Sequence, residues 1–158
     1  MINIDTKAPD FELQGLDAQG NEKTFRLSDF KGQNIVLYFY PKDNTPGCTQ
    51  EACDFRDNFN RLTSKAIVIG VSADSIESHK NFREKQGINF ILLSDPKHNL
   101  LEQYEAWGEK KTYGKLFMGT IRSTFIIDKD GQIKKIWKNV KVNGHVDEVL
   151  KELDFISQ

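Results

Sequence analysis

Short apolar runs alternate with helix-like patterns along most of the chain, and this alternation restricts the folds that the chain can form. Runs of β-branched, aromatic and aliphatic residues at 34–40, 66–71 and 90–93 are typical of buried strands. Each run is followed by a segment in which apolar residues recur at helical spacing. Strands that alternate with helices in this way predict a parallel sheet with helices on both faces.

The two ends of the chain add to this plan. Short extended pieces are expected at 10–13 and 23–27, ahead of the first long strand. Towards the other end, apolar runs at 120–127 and 132–137 flank Asp128-Lys-Asp-Gly131, which is typical of a β-hairpin, and a last amphipathic helix follows. We therefore predict an α/β fold with a central mixed sheet flanked by helices and with an N-terminal extension.

Size and charge narrow the class of protein. The chain has 158 residues, which is most simply one domain spanning 1–158. Its 22 basic and 23 acidic residues nearly balance, and no basic stripe indicates a nucleic-acid partner. No apolar stretch approaches the length of a membrane span, and residues 1–7 lack the pattern of a secretory signal. We expect a cytoplasmic protein with no membrane or nucleic-acid partner.

The chain has two cysteines, Cys48 and Cys53, which come soon after the run at 34–40. Pro46 and Gly47 indicate a loop, and a helical pattern begins at Cys48. In an open α/β sheet, ligands bind beyond the carboxyl ends of the strands. A thiol at a helix N-terminus there forms a thiolate more readily, because free N–H groups and the helix dipole favour an anion. Since structural disulfides are rare in the cytoplasm, such a pair indicates a redox site.

Helical geometry gives the two cysteines different surroundings. Cys48 begins an apolar stripe, whereas Cys53 lies about 140° around the helix, on a polar flank near Asp57 and Asn60. The stripe continues through Ala52, Phe55, Phe59 and Leu62. Five helical steps separate the two cysteine Cα atoms by roughly 8–9 Å, which is too far for a disulfide. The pair can therefore close only if the first helical turn unwinds.

Specific motifs resemble those of a known family. Pro41-x-x-x-Thr45-x-x-Cys48 resembles the active-site motif of peroxiredoxins, and the fuller string is similar to the peroxiredoxin Q subgroup, also called bacterioferritin comigratory protein. The resemblance covers nearly the whole chain and rests on Tyr40-Pro-Lys-Asp-Asn-Thr-Pro-Gly-Cys-Thr-Gln-Glu-Ala-Cys53, Gly70-Val-Ser-Ala-Asp-Ser-Ile-Glu-Ser-His79, Leu92-Leu-Ser-Asp95 and Tyr113-Gly-Lys…Arg122-Ser-Thr-Phe-Ile-Ile-Asp128. One departure is Gly87-Ile-Asn-Phe90, where a proline is expected before the phenylalanine.

The resemblance implies a thioredoxin-like fold and thiol-dependent reduction of hydrogen peroxide and organic hydroperoxides. It places Cys48 in the position of the thiol that attacks peroxide. Cys53 takes the position of the thiol that resolves the resulting sulfenic acid as an intramolecular disulfide. Thr45 and Arg122 match the positions that bind and polarise the peroxide, and Pro41 matches the residue that shields the thiolate. The resemblance also implies thioredoxin or a similar dithiol as reductant, no bound cofactor, antioxidant defence and a monomer.

The residues alone leave other roles open. Cys48 could be a buried core cysteine and Cys53 an inert surface thiol. Thr45 could be a helix cap, Pro41 a turn residue and Arg122 a solvated strand residue. The cysteine pair could also switch the shape of a redox-responsive binding protein. A thiol–disulfide oxidoreductase is a third class, although the chain lacks the usual Cys-x-x-Cys pair.

The other candidate residues have plainer interpretations. We expect Glu51 to be a first-turn acid that complements the helix dipole. His79, His98 and His145 are expected at the surface or at helix caps, and no Cys/His grouping has the spacing of a zinc site. Residues 106–119 show no clear period and are expected to form a packed loop. A second hypothesis is that this loop borders the active site or contacts the reductant.

Overall fold

A seven-stranded mixed sheet forms the centre of the computed structural model, which describes residues 2–156. In chain order the strands are β1 (Glu12–Leu16), β2 (Glu22–Arg26), β3 (Ile35–Phe39), β4 (Ile67–Ser72), β5 (Ile91–Ser94), β6 (Trp107–Thr112), β7 (Lys115–Thr120), β8 (Ser123–Ile127) and β9 (Ile133–Lys138). The sheet order is β2-β1-β5-β4-β3-β8-β9. Strands β3, β4 and β5 run parallel and the other neighbours pair antiparallel, which confirms the predicted mixed sheet.

Helices cover both faces of this sheet, as predicted. They are α1 (Pro46–Asp57), α2 (Phe59–Thr63), α3 (Ile76–Gln86), α4 (Asn99–Gln103) and α5 (His145–Ile156), with a short 3₁₀ helix at Leu27–Phe30. Side chains of α1, α2, α3 and α5 fill the core on one face, and those of α4 and the N-terminal segment fill the core on the other. Among residues 2–156, no helix has both the length and the apolar character needed to cross a membrane.

Strand β3 lies between the two cores. All five of its residues are buried. Consecutive side chains of a strand point to opposite faces of the sheet, and both faces are covered here. Val36 and Tyr38 belong to the core beneath α1 and α5, whereas Ile35, Leu37 and Phe39 belong to the core beneath α4. A strand buried on both faces requires an unbroken apolar run, which is why this strand was predictable.

The N-terminal extension forms a β-hairpin of β1 and β2, and β1 adds antiparallel to β5. Strand β1 begins later than the predicted piece at 10–13 and continues to Leu16. The turn is closed by Asp17, whose Oδ1 accepts hydrogen bonds from the amides of Gln19 and Asn21, at 2.9 Å each. The extension therefore widens the sheet at its edge.

Helix α1 is shorter than the apolar stripe predicts. It ends at Asp57, and Asn58 leaves the helical conformation while its side chain donates to the carbonyl of Asp54 at 2.8 Å. Asparagine competes for backbone hydrogen bonds in this way, which disfavours it inside helices. Phe59 therefore starts α2 and is 36% exposed, so its predicted place on the buried stripe is wrong.

Helix α3 begins one residue later than the sequence pattern suggests. Ser75 is its N-cap, and the Ser75 hydroxyl accepts a hydrogen bond from the amide of Ser78 at 3.1 Å. In the sequence, Asp74 with Glu77 three residues later resembles a helix start, but the Asp74 carboxylate instead accepts hydrogen bonds from the amide of Asp43 and the hydroxyl of Ser72. Its carboxylate thus connects the start of α3 to the segment that follows β3.

Residues 106–119 do not form a loop. Strands β6 and β7 pair as a separate two-stranded sheet, joined by Tyr113 and Gly114, which both have positive φ. A two-residue connection of this kind has the right twist for an antiparallel hairpin. The tip is open to solvent, with Tyr113 99% and Leu116 68% exposed. The expectation of a packed loop is therefore wrong.

Candidate active site

The segment that leaves β3 leads directly into α1, and Cys48 lies in the first turn of that helix. Thr45 is the N-cap and Pro46 the first helical residue, where a missing N–H and a fixed φ fit the helix start. Pro46 and Gly47 therefore belong to the helix rather than to a loop. Cys48 is 1% exposed, so the predicted buried thiol at a helix N-terminus is confirmed.

Two donors point at the sulfur of Cys48. The amide of Lys42 lies 3.5 Å from Cys48 Sγ, and Arg122 Nη2 lies 3.4 Å from it. One donor is a backbone dipole and the other carries a full positive charge, so both stabilise negative charge on sulfur. Gly47 leaves room for this contact, because a Cβ at Gly47 would lie 3.2 Å from Arg122 Nη2.

Arg122 also binds the carboxylate of Glu51, which was not predicted to belong to the site. Its Nη1 lies 2.7 Å from Glu51 Oε1, and Glu51 is fully buried. Burial raises the pKa of Glu51 to about 7, although the positive charge of Arg122 opposes this shift. The pKa of Arg122 is raised because Glu51 and Cys48 outweigh the effect of its own burial. Glu51 lies beyond the first turn of α1, so the expectation of a first-turn acid that complements the helix dipole is wrong.

Thr45 and Pro41 flank the buried thiol. The Thr45 hydroxyl donates to the carbonyl of Lys42 at 2.7 Å, and it makes no hydrogen bond to the helix that it precedes. Thr45 therefore does not cap α1 through its side chain. Pro41 is half-buried and faces a shallow cavity that Arg122 also lines.

This cavity connects the site to the β6–β7 hairpin. It has a volume of about 460 Å³. Its walls are Pro41, Ile121, Arg122, Asn139 and Val140 with Glu109, Lys110 and Lys111 of β6. The segment at 106–119 thus borders the predicted site, although it does so as a strand.

Cys53 does not line this cavity. It is half-buried, and its thiol donates to Gln86 Oε1 of α3 at 3.7 Å. Both cysteines are free thiols, and the unbroken helix between them keeps their Cα atoms roughly 8–9 Å apart. Contact with α3 was not predicted, because the helical pattern of one segment says nothing about which segment packs on its flank.

Two of the histidines expected at the surface or at helix caps, His79 and His145, are buried. His79 lies between Asp43 and the carbonyl of Leu93, and His145 Nε2 lies 2.8 Å from the Thr124 hydroxyl. Burial lowers the pKa of His145 to about 4, and the charge of Arg122 adds to the effect. Within residues 2–156, no group of three or more His, Cys, Asp or Glu side chains could hold a metal ion.

A buried thiol that an arginine contacts at the start of a helix, directly after strand β3 of a mixed sheet, defines a thiol-based redox protein of thioredoxin-like fold. A model of the AhpC/TSA family matches residues 4–136. Over 158 residues the chain is 51% identical to Peroxiredoxin Bcp of Bacillus subtilis, across 99% of this chain and 98% of that relative. The chain belongs to the AhpC/TSA family, and within it to the peroxiredoxins of the Q, or bacterioferritin comigratory, type.

Solved structures agree with this assignment. A structure of peroxiredoxin Q from Xanthomonas campestris has a TM-score of 0.83 and 41% sequence identity, and the match covers 92% of each chain. A cysteine mutant of the peroxiredoxin Q of Xylella fastidiosa has a TM-score of 0.90 and 37% identity, over 100% of this chain and 99% of that one. The predicted thioredoxin-like fold and family are confirmed, and the chain is a thiol peroxidase.

Proposed function

We propose that this peroxidase reduces hydrogen peroxide and organic hydroperoxides, with Cys48 as the attacking thiol. The observation that carries the proposal is the pair of donors at Cys48 Sγ, the amide of Lys42 and the guanidinium of Arg122. Both stabilise the thiolate, which is the reactive form of cysteine. A Xanthomonas campestris bacterioferritin comigratory protein has been solved in connection with its alkyl peroxide reduction activity, which supports the organic substrates.

In the first step, the Cys48 thiolate attacks one peroxide oxygen and the O–O bond breaks. Cys48 becomes a sulfenic acid, and the other oxygen leaves as an alkoxide or hydroxide that takes up a proton. Arg122 already contacts the sulfur, so its charge can also stabilise the leaving oxygen. The Thr45 hydroxyl donates to Lys42, and its lone pairs remain able to accept a hydrogen bond from the peroxide. Pro41 shields the thiolate from water on the cavity side.

In the second step, the Cys53 thiol attacks the Cys48 sulfenic acid, a disulfide forms and water leaves. Helix α1 must open first, because the two Cα atoms are too far apart within an intact helix. Thioredoxin or a similar dithiol then reduces the disulfide by exchange and becomes oxidised itself. Since one chain supplies both cysteines, the cycle needs no second copy, and we expect a monomer.

Peroxide consumption with thioredoxin, its reductase and NADPH tests this proposal. Wild-type protein should turn over repeatedly. Cys48→Ser should be inactive. Cys53→Ser should consume one equivalent of peroxide and then stop. Peptide mass mapping after one equivalent should recover Cys48 and Cys53 joined within one chain. A wild-type protein that forms this disulfide without consuming peroxide catalytically would instead be a thiol switch.

A further inference from the structure

A buried carboxylate and a buried imidazole meet beneath the segment that carries Pro41 and Thr45, and the peroxide chemistry does not use either of them. Asp43 is 5% exposed and His79 is completely buried. His79 Nδ1 lies 2.7 Å from Asp43 Oδ2, and His79 Nε2 lies 2.8 Å from the carbonyl oxygen of Leu93. A carbonyl oxygen can only accept, so Nε2 carries a proton.

The surroundings of Asp43 decide where a second proton resides. The Tyr40 hydroxyl donates to Asp43 Oδ1 at 2.6 Å and the Ser78 hydroxyl donates to Oδ2 at 2.8 Å. Burial, followed by the charge of Asp43, raises the pKa of Tyr40 well above its ordinary value, so Tyr40 stays a donor. Each Asp43 oxygen already accepts a hydrogen bond from a hydroxyl group, and an ionised carboxyl group can only accept. The proton between the two groups therefore belongs to His79 Nδ1.

The same segment carries the groups that touch the site. One residue before Asp43, the amide of Lys42 donates to Cys48 Sγ, and the Lys42 carbonyl accepts from the Thr45 hydroxyl. The amide of Asp43 itself donates to Asp74 at 2.8 Å. Asp43 is thus tied to α3 by its side chain and to the start of α3 by its backbone, directly beside the donor that faces the thiolate.

We propose that His79 is held as an imidazolium paired with the Asp43 carboxylate, and that the hydrogen bonds of this buried pair position the 42–45 segment against Cys48. Asp43 and His79 are then positioning residues for the peroxide step, acting through the Lys42 amide and Thr45. The inference rests on the proposed role of Cys48. Neither residue contacts Cys53, so the resolving step does not depend on the pair.

The protonation of His79 is measured directly by nitrogen-15 NMR of histidine-labelled protein near neutral pH. Wild-type protein should show both His79 ring nitrogens protonated. Asp43→Asn gives the matched control, because the new amide can donate to a neutral Nδ1 while its oxygen still accepts from Tyr40. In this variant His79 should carry a proton on Nε2 alone. A neutral His79 ring in the wild-type protein would overturn the inference, whether or not the protein reduces peroxide.

Rapid mixing with hydrogen peroxide tests the positioning role. Asp43→Ala should slow the reaction of Cys48 with peroxide by about tenfold or more, because misplaced groups lose much of their effect, and should leave sulfenic acid resolution unchanged. Asp43→Asn, which keeps the hydrogen bonds to Tyr40 and His79, should recover most of the rate. Ser75→Ala removes the cap of α3 without touching Asp43 and controls for loss of stability.

An Asp43→Ala variant that reacts with peroxide as fast as wild type would overturn the positioning role. So would an Asp43→Ala variant in which the peroxide reaction and sulfenic acid resolution are both slowed to the same extent as in Ser75→Ala. A wild-type protein inert to peroxide would instead refute the proposed function.

Discussion

At the scale of single residues, the guanidinium of Arg122 contacts a thiol and a carboxylate at once, each through a different nitrogen. Its Nη2 contacts Cys48 and its Nη1 contacts Glu51. The planar fork of arginine can satisfy both partners at once, whereas a lysine ammonium is a compact point charge on a flexible stem. Glu51 therefore fixes the direction from which the charge of Arg122 reaches the sulfur.

Replacing Arg122 by lysine tests whether this fork matters as well as the charge. We expect Arg122→Lys to lower the second-order rate constant with peroxide by about 10²-fold, because a charged donor aimed at the reacting atoms is lost. Stopped-flow measurement of Cys48 oxidation gives the constant. Arg83→Lys is the matched control, since Arg83 makes a similar partly buried contact with the carbonyl of Ala18. Equal losses in both variants would contradict a specific role for Arg122.

Glu51 should make stability depend on pH in an unusual direction. Its pKa is about 7 in the folded protein against an ordinary 4.5, so the folded state binds a proton more readily between these values. The free energy of unfolding therefore decreases as pH rises through this window, by about 3 kcal/mol for this group. Urea unfolding at several pH values should show that Glu51→Gln removes this decrease. Glu84→Gln, at an exposed carboxylate, should leave the slope as it is.

His145 should produce the opposite dependence. Its folded pKa is about 4 against an ordinary 6.5, so the unfolded chain binds the proton more readily between these values. Stability is lost as pH falls through that window. His145→Gln can keep a hydrogen bond to Thr124, and we expect it to lose less stability than wild type between pH 6.5 and 4. Parallel curves for the two proteins in urea unfolding would show that His145 does not titrate in this way.

At the scale of single elements, local patterns predicted what depends on local sequence. Strands β3, β4 and β5 were predictable because strands buried on both faces must be apolar throughout. The β6–β7 hairpin was missed because its strands, largely open to solvent, show no alternation. Glu51 and His79 were misplaced because their partners lie 71 and 36 residues away in the chain. Only tertiary contact turns such polar residues into buried ones.

Helix α1 is the element that the proposed cycle must open. Hydrogen exchange should therefore show lower amide protection over residues 49–53 after one equivalent of peroxide, because closing the disulfide requires the first turns to unwind. Asn58 already interrupts the helix, so α2 should keep its protection. Cys53→Ser cannot form the disulfide and should retain protection after the same treatment. Equal exchange in oxidised and reduced wild-type protein would contradict the opening of α1.

For the molecule as a whole, we propose that residues 1–158 form one domain, and β3 supplies the physical reason. Val36 and Tyr38 fill one core while Leu37 and Phe39 fill the other. Removing β3 from either core would expose its side chains in both. Neither face of the sheet can therefore unfold alone without the cost of opening the other.

The two tryptophans allow a test of this proposal, because they report on opposite faces of the sheet. Trp137 packs against the core beneath α1 and α5, and Trp107 packs against the core beneath α4. Trp107→Phe leaves fluorescence from one core, and Trp137→Phe leaves it from the other. In each variant the urea transition seen by fluorescence should coincide with that seen by far-ultraviolet circular dichroism, as a two-state domain requires. Fluorescence that changes ahead of circular dichroism in one variant would show that its core unfolds separately, and the chain would then contain more than one cooperative unit.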